Sequence, residues 1–129
     1  MTNRRTGFKR LRKAFGYSVK GIEQAWQNEE AFRLETILCI CLFPLSFFVG
    51  DNITEYILLI GTLVLLVITE LFNSAIEALT DRVGLDNHEL SGRAKDIASA
   101  TVFIALIYLV SVWLSLAWNN ILSSNFKLN

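Results

Sequence analysis

The sequence predicts an all-α, polytopic membrane protein: three membrane-spanning helices preceded by an amphipathic surface helix. Three observations carry this. First, three stretches are free of charge, Thr36–Gly50 over 15 residues, Tyr56–Thr69 over 14 and Ile97–Trp118 over 22. Second, hydrophobic residues make up 53% of the 129 residues against 19% charged, which is too apolar and too neutral for a disordered chain. Third, the net charge of 0 is strongly polarised. Residues 1–20 hold seven basic side chains (Arg4, Arg5, Lys9, Arg10, Arg12, Lys13, Lys20) and no acidic one. A disulfide scaffold is excluded, because the two cysteines, Cys39 and Cys41, lie two apart inside one apolar run and point to different faces of a helix.

The first element is the surface helix, expected at about 6–28. Phe8, Leu11, Phe15, Val19, Ile22 and Trp26 recur at spacings of three and four, with Arg10, Arg12, Lys13 and Lys20 between them. A basic amphipathic helix beside a span belongs in the headgroup layer, either as an anchor alone or as part of a site. It is no signal peptide, since no apolar core precedes residue 34.

A span needs about 20 residues. The first is expected at about 31–50, with Arg33 and Glu35 near its start and a tolerated proline, Pro44, inside it. The second is expected at about 53–79, continuing past Glu70. The third is expected at about 94–119. Together they form a single membrane domain, 1–129. Eight basic residues precede the first span, none stands in Asp51–Glu55, three (Arg82, Arg93, Lys95) lie between the second and third, and only Lys127 follows. The N-terminus is therefore expected in the cytoplasm and the tail outside. Trp113 and Trp118 then fall near the outer interface, as anchors or as substrate contacts.

The chemistry concentrates at the other end of the membrane. Glu70, Asn73, Glu77 and Asp81 stand at i, i+3, i+7 and i+11 and share one helix face. Unpartnered carboxylates in a span are costly, so this stripe is either a functional site or a polar clamp between helices. A second polar cluster runs from Asp86 through Asn87, His88, Glu89 and Arg93 to Lys95 and Asp96. Asp86 and Glu89 have capping-box spacing, and Arg93 and Lys95 beside a helix start can hold an anion. The lone His88 has no second ligand at helical spacing, and an ordinary hydrogen bond is the simpler role. A third cluster, Glu29, Glu30, Arg33 and Glu35, includes a Glu29–Arg33 spacing suited to an i, i+4 ion pair. There is no GxxxxGK[ST] loop, no protein-kinase motif set and no GxSxG elbow. Any phosphate chemistry must rest on separated carboxylates, a divalent metal and a few cations.

The motifs themselves resemble a known family. Gly7-Phe-Lys-Arg10, Gly16-Tyr-Ser18, Asn28-Glu29, Ala31-Phe-Arg33 and Glu35 are similar to the first half of the small bacterial integral-membrane diacylglycerol kinases. The runs Glu70-Leu-Phe-Asn-Ser-Ala-Ile-Glu77, Asp81-Arg82 and His88-Glu-Leu-Ser-Gly-Arg-Ala-Lys-Asp96 resemble that family's signature. The resemblance covers residues 7–118.

It implies phosphorylation of sn-1,2-diacylglycerol by MgATP to phosphatidic acid in the bacterial inner membrane. The implied partners are ATP, diacylglycerol, membrane lipid and further copies of the chain in a homotrimer with shared active sites, with no nucleic acid. It places Glu70 as catalytic base and Glu29 and Glu77 at the Mg²⁺ and nucleotide positions. Arg10, Tyr17, Asp86, Asn87, His88, Lys95 and Asp96 fall where ATP is contacted. Arg10, Ser18, Trp26, Arg33, Glu35, Tyr56, Glu70, Ser99, Trp113 and Trp118 fall along the lipid substrate, with Asn73 and Asp81 in a supporting network. Two competing readings remain: an undecaprenol kinase of the same fold, disfavoured by Ser74 and the Trp26–Glu35 match, and a small oligomeric transporter or channel lined by Glu70, Asn73 and Glu77, disfavoured by the Ser91–Asp96 cluster.

Overall fold

A computed structural model describes residues 4–84 and 88–122 of the chain. Four α-helices follow one another: α1 (Arg4–Asn28), α2 (Glu30–Val49), α3 (Ile53–Val83) and α4 (Glu89–Ala117), closed by a π-helical turn, Trp118–Leu122. No strand occurs among the described residues. The helices α2, α3 and the α4 segment are each long and apolar enough to cross a membrane. Asp86 and Asn87 lie outside the described residues.

The apolar stripe of α1 is left uncovered, with Phe8, Leu11 and Phe15 exposed and only Ala25 buried near its end. That suits a helix lying in a lipid interface with its apolar face turned to lipid. α1 and α2 are separated by one residue, Glu29, whose backbone is extended (φ −112°, ψ 113°). The expected Glu29–Arg33 ion pair is not formed. Arg33 instead donates through Nη1 to the carbonyls of Trp26 (2.9 Å) and Gln27 (3.3 Å). The carbonyls at the end of a helix have no partner within it, and a cation satisfies them well.

The α2–α3 turn is held by reciprocal capping. Asn52 accepts from the Glu55 N–H through Oδ1 at 3.1 Å, while Glu55 accepts from the Asp51 N–H at 2.9 Å. Gly50 is required by packing, since a Cβ there would lie 2.8 Å from the Tyr56 ring. Asn120, from the π-helical turn, donates to the Val49 carbonyl (3.0 Å) and to Glu55 (2.6 Å), tying the end of the third span to this turn.

Within the membrane, Cys39, Leu63, Leu66, Val102, Ala105 and Leu109 form the core, with Leu42, Val67, Leu106 and Trp113 packed on it. Trp113 is therefore no free interfacial anchor. Its Nε1–H donates to the buried Thr62 hydroxyl at 3.1 Å, and that hydroxyl donates to the Leu59 carbonyl at 2.7 Å. Both later helices outrun the expected spans, α3 to Val83 rather than 79 and α4 from Glu89 rather than 94. Hydrophobic length sets the span but not the helix. α3 continues until Gly84, and α4 starts where His88 Nδ1 accepts from the Leu90 N–H at 3.2 Å. The cap is thus His88, and the Asp86–Glu89 capping-box expectation lies partly outside the described residues. At 1.5 Å per residue the 31 residues of α3 reach ~46 Å, well past a ~30 Å hydrocarbon core.

The Trp113–Thr62 bond gives a stability prediction. Trp113→Phe keeps most of the ring and loses the donor, so it should cost about 0.6 kcal/mol and no more than ~1.7, the range for hydrogen bonds between membrane helices. Trp113→Ala should cost several times more through lost packing. Denaturation in detergent micelles measures both, and a Phe variant as damaged as the Ala variant would rule out a packing-dominated role with a small polar increment.

Candidate active site

The polar face of α3 holds the site because helical periodicity stacks its members. Glu70 is only 3% exposed, and its Oε2 has no hydrogen-bond partner among the described residues. One turn on, Asn73 donates through Nδ2 to Glu77 Oε1 at 3.1 Å, while its own Oδ1 is buried without a partner. The amide stands between two carboxylates, within reach of both Glu70 and Glu77. Glu77 lies ~10.5 Å nearer the end of α3 than Glu70.

The break between α1 and α2 adds another carboxylate. Glu29 sits at the N-cap position of α2, yet its side chain makes no capping bond. Burial holds its carboxyl above the usual carboxylate range. The neighbouring Glu77 and Asp81 push it further up, and Lys95 and Arg33 oppose them. Glu29 and Glu77 therefore face each other as like charges. From α2, Glu35 lies within range of the Glu70 charge, and its Oε2 is also buried without a partner. Asp81 takes a cation that reaches into the group, Lys95 of α4, in an ion pair of 2.6 Å.

A cleft of about 560 Å³ opens beside these groups, between the second half of α1 and α3, within the size range of small-molecule sites. Glu29 and Asn28 line one side, Ser74 and Ala78 the other, and Ser18 reaches its end. The space exists because the facing residues are small: Gly21 and Ala25 on α1 against Ser74, Ala75 and Ala78 on α3. Reading the sequence for charge and apolar period missed Ser74, Gln24 and Asn28 as lining groups. The Gly21–Ala25 and Ser74–Ala78 spacings, small residues four apart, are the signal that could have found them.

The structure thus brings together Glu29, Glu35, Glu70, Asn73, Glu77, Asp81 and Lys95, with Arg33 and Ser18 at the margin. Arg10 and Tyr17 sit on the exposed part of α1, and Trp26 is partly exposed on the same helix. His88 and Asp96 are exposed around the start of α4, and Ser99 is exposed one turn beyond Lys95. Tyr56, Trp113 and Trp118 are not brought to the carboxylates. Tyr56 packs on Phe47 near the opposite end of α3, ~21 Å along the axis from Glu70.

Among the described residues no three His, Cys, Asp or Glu side chains converge on one point. That donor set fits a magnesium ion carried by a nucleotide. Mg²⁺ takes one or two protein carboxylates and completes its octahedron with phosphate oxygens and water. Glu29 and Glu77, carboxylates within electrostatic range of each other, would supply that number.

Comparison with known proteins gives the family. Residues 16–117 match the family model described as prokaryotic diacylglycerol kinase. The diacylglycerol kinase of Escherichia coli (strain K12) is 46% identical over 120 residues, covering 93% of this chain and 98% of that protein. That of Haemophilus influenzae is 48% identical over 108 residues, covering 84% and 92%. That of Helicobacter pylori (strain ATCC 700392 / 26695) is 42% identical over 107 residues, covering 83% and 84%. With a family model spanning most of its length and relatives this similar end to end, the chain belongs to the prokaryotic diacylglycerol kinase family.

Proposed function

We propose that this chain transfers the γ-phosphoryl group of ATP to the free hydroxyl of sn-1,2-diacylglycerol, giving phosphatidic acid and ADP. The observation that carries the reading is Glu70, a buried carboxylate with an unpartnered oxygen, set one end deeper than a pair of shallower carboxylates. A lipid hydroxyl arrives from the membrane and a nucleotide from water, so base and phosphate-handling groups must sit at different depths. Glu70 accepts the proton of the lipid hydroxyl at Oε2. The alkoxide oxygen attacks the γ-phosphorus in line, the bond to the β-phosphate oxygen breaks, and ADP leaves. Asn73 holds Glu77 in place and keeps an amide beside Glu70.

Glu29 and Glu77 hold the Mg²⁺ of MgATP, which supplies charge neutralisation for the phosphates. Lys95, His88, Asp96, Arg10 and Tyr17, with Asp86 and Asn87, contact the nucleotide. Glu35, Arg33, Ser18, Trp26 and Ser99 border the lipid hydroxyl and glycerol, and Tyr56, Trp113 and Trp118 lie toward the acyl tails. Assembly as a homotrimer with shared active sites belongs to the same reading, on the family resemblance. The N-terminus faces the cytoplasm of a bacterium whose inner membrane holds the protein, by the excess of basic residues before the first span.

A mixed-micelle phosphotransfer assay with diacylglycerol and undecaprenol side by side tests the substrate directly; preferential turnover of undecaprenol would overturn it. Glu70→Gln should lower kcat by at least about 10²-fold, the usual contribution of a general base, with KM for MgATP within a few-fold of wild type. Retention of more than about a tenth of the activity would make Glu70 a structural clamp instead.

Glu77→Gln and Glu29→Gln each remove half of the proposed metal donors. Both should move the magnesium titration of activity to higher concentration, and an unshifted Glu77→Gln titration removes the assignment.

Orientation has its own test. Arg5→Cys and Asn125→Cys, made in a background lacking Cys39 and Cys41, should differ in sealed right-side-out vesicles: an impermeant thiol reagent should label position 125 and spare position 5. Labelling of position 5 from outside reverses the topology.

A further inference from the structure

Of the seven basic side chains in residues 1–20, the kinase reading uses only Arg10. The helical repeat sorts the others. At ~100° per residue, Lys9, Lys13 and Lys20 fall within ~40° of one another on α1. Arg12 lies between that row and the edge of the apolar stripe marked by Phe8 and Val19. The residues lining the α1–α3 cleft, among them Gly21, Ala25 and Asn28, stand on a different face, ~100° round from the row, and Arg10 and Tyr17 fall with them. α1 thus has three faces, each about a third of a turn from the next: one apolar, one small and polar beside α3, and one basic.

The basic face is unclaimed. Lys9, Arg12, Lys13 and Lys20 are all exposed, and among the described residues none of them enters an ion pair or a side-chain hydrogen bond. The row is unfavourable for the helix by itself. Lys9 and Lys13 are like charges at i and i+4, and the first turn of α1 carries no acid against the positive end of the helix dipole. Glu23, the first acidic residue of the chain, lies beyond the row and accepts from Gln27 at 3.3 Å. The counter-charge has to come from outside α1.

The neighbouring stripe says what carries it. Phe8, Leu11, Phe15 and Val19 are exposed alongside the cations. A cation row flanking an open apolar stripe fits a phosphate that stands above hydrocarbon, with the lysine stems along the apolar surface and the ammonium groups at headgroup depth. A nucleotide phosphate would instead meet the cleft face, where Arg10 stands. A nucleic acid would engage the cations and leave the apolar stripe in water.

We propose that Lys9, Lys13 and Lys20, with Arg12 beside them, bind the phosphate groups of anionic phospholipids of the membrane, at a site on α1 separate from the α1–α3 cleft. One consequence rests on the kinase reading: the reaction turns an uncharged lipid into an anionic one, so each turnover adds a ligand for this face. The row's own preference for anionic lipid does not depend on that reading.

The test uses the full-length protein in dodecyl maltoside micelles, titrated with phosphatidylglycerol, phosphatidic acid and phosphatidylcholine, each carrying a fluorophore on its tail, with binding read as anisotropy. Wild type should bind phosphatidylglycerol about tenfold more tightly than phosphatidylcholine, since each cation near an anionic surface is worth about fivefold and salt screens part of it. Phosphatidic acid, a phosphomonoester with more than one negative charge, should bind at least as tightly. Replacing Lys9, Arg12, Lys13 and Lys20 together by Gln, a residue of similar helix propensity, should bring the ratio to about one. Lys9→Arg, Lys13→Arg and Lys20→Arg combined should keep it. Should the Gln variant fail to fold, Lys9→Gln with Lys13→Gln alone should lose most of the preference, and ~0.5 M salt should do the same to wild type. Equal affinity of wild type for all three lipids overturns the site. So does a preference that the Gln variants keep, which puts the anion elsewhere on the chain, and so does one that saturating MgATP abolishes, which makes the row a nucleotide contact. A wild-type protein that prefers anionic lipid yet phosphorylates no diacylglycerol leaves this site standing and overturns the kinase reading instead.

Discussion

A carboxylate carried into a low-dielectric medium by an otherwise apolar helix has to be held by something, and α3 carries Glu70 there. Insertion of such a group costs on the order of 2.5–3.5 kcal/mol without a partner. The surroundings are organised around that cost. Asn73 stands one turn away with a hydrogen bond to Glu77, Glu35 approaches from α2, and α1 turns into α2 so that Glu29 joins the same cluster. Because α3 is longer than the hydrocarbon core, one continuous helix links the dry end of this series to its wet end. Depth along a single axis separates Glu70 from Glu77.

The electrostatics are deliberately unbalanced. Glu29, Glu35, Glu70, Glu77 and Asp81 gather at one end of the bundle, and Lys95 is committed to Asp81. Arg33, the nearest further cation, gives its Nη1 to the last carbonyls of α1. What remains is a pair of shallow carboxylates, Glu29 and Glu77, whose like charges repel. A site of this kind is weak for metal alone and strong for metal already bound to phosphate, because two protein ligands cannot complete an octahedron.

The opposite end of the molecule supplies rigidity. Asn52, Asp51 and Glu55 cap one another, Asn120 reaches back to Val49 and Glu55, and Trp113 is pinned to Thr62. These bonds fix how far α2, α3 and α4 stand from one another along the membrane normal. A helix cannot slide without breaking them. The carboxylates at the far end therefore keep their relative depths without having to bind each other directly, which like charges would not do.

The number of spans, their order and the amphipathic first helix follow from hydrophobic length and period, which are local properties of the chain. So does the face shared by Glu70, Asn73, Glu77 and Asp81, since the helical repeat alone stacks them. The nucleotide and lipid roles were legible only through the resemblance, on motifs such as His88–Asp96. The tertiary structure decided what depends on which helices touch. Arg33 turned from Glu29 to the carbonyls of α1, because chain ends offer acceptors that spacing on one helix does not show. Trp113, placed by the sequence at an interface, became a packed hydrogen-bond donor, because its partner Thr62 lies 51 residues away. The α1–α3 cleft came from small residues facing each other across helices. A cavity is a relation between two surfaces, and a one-dimensional pattern carries only one of them.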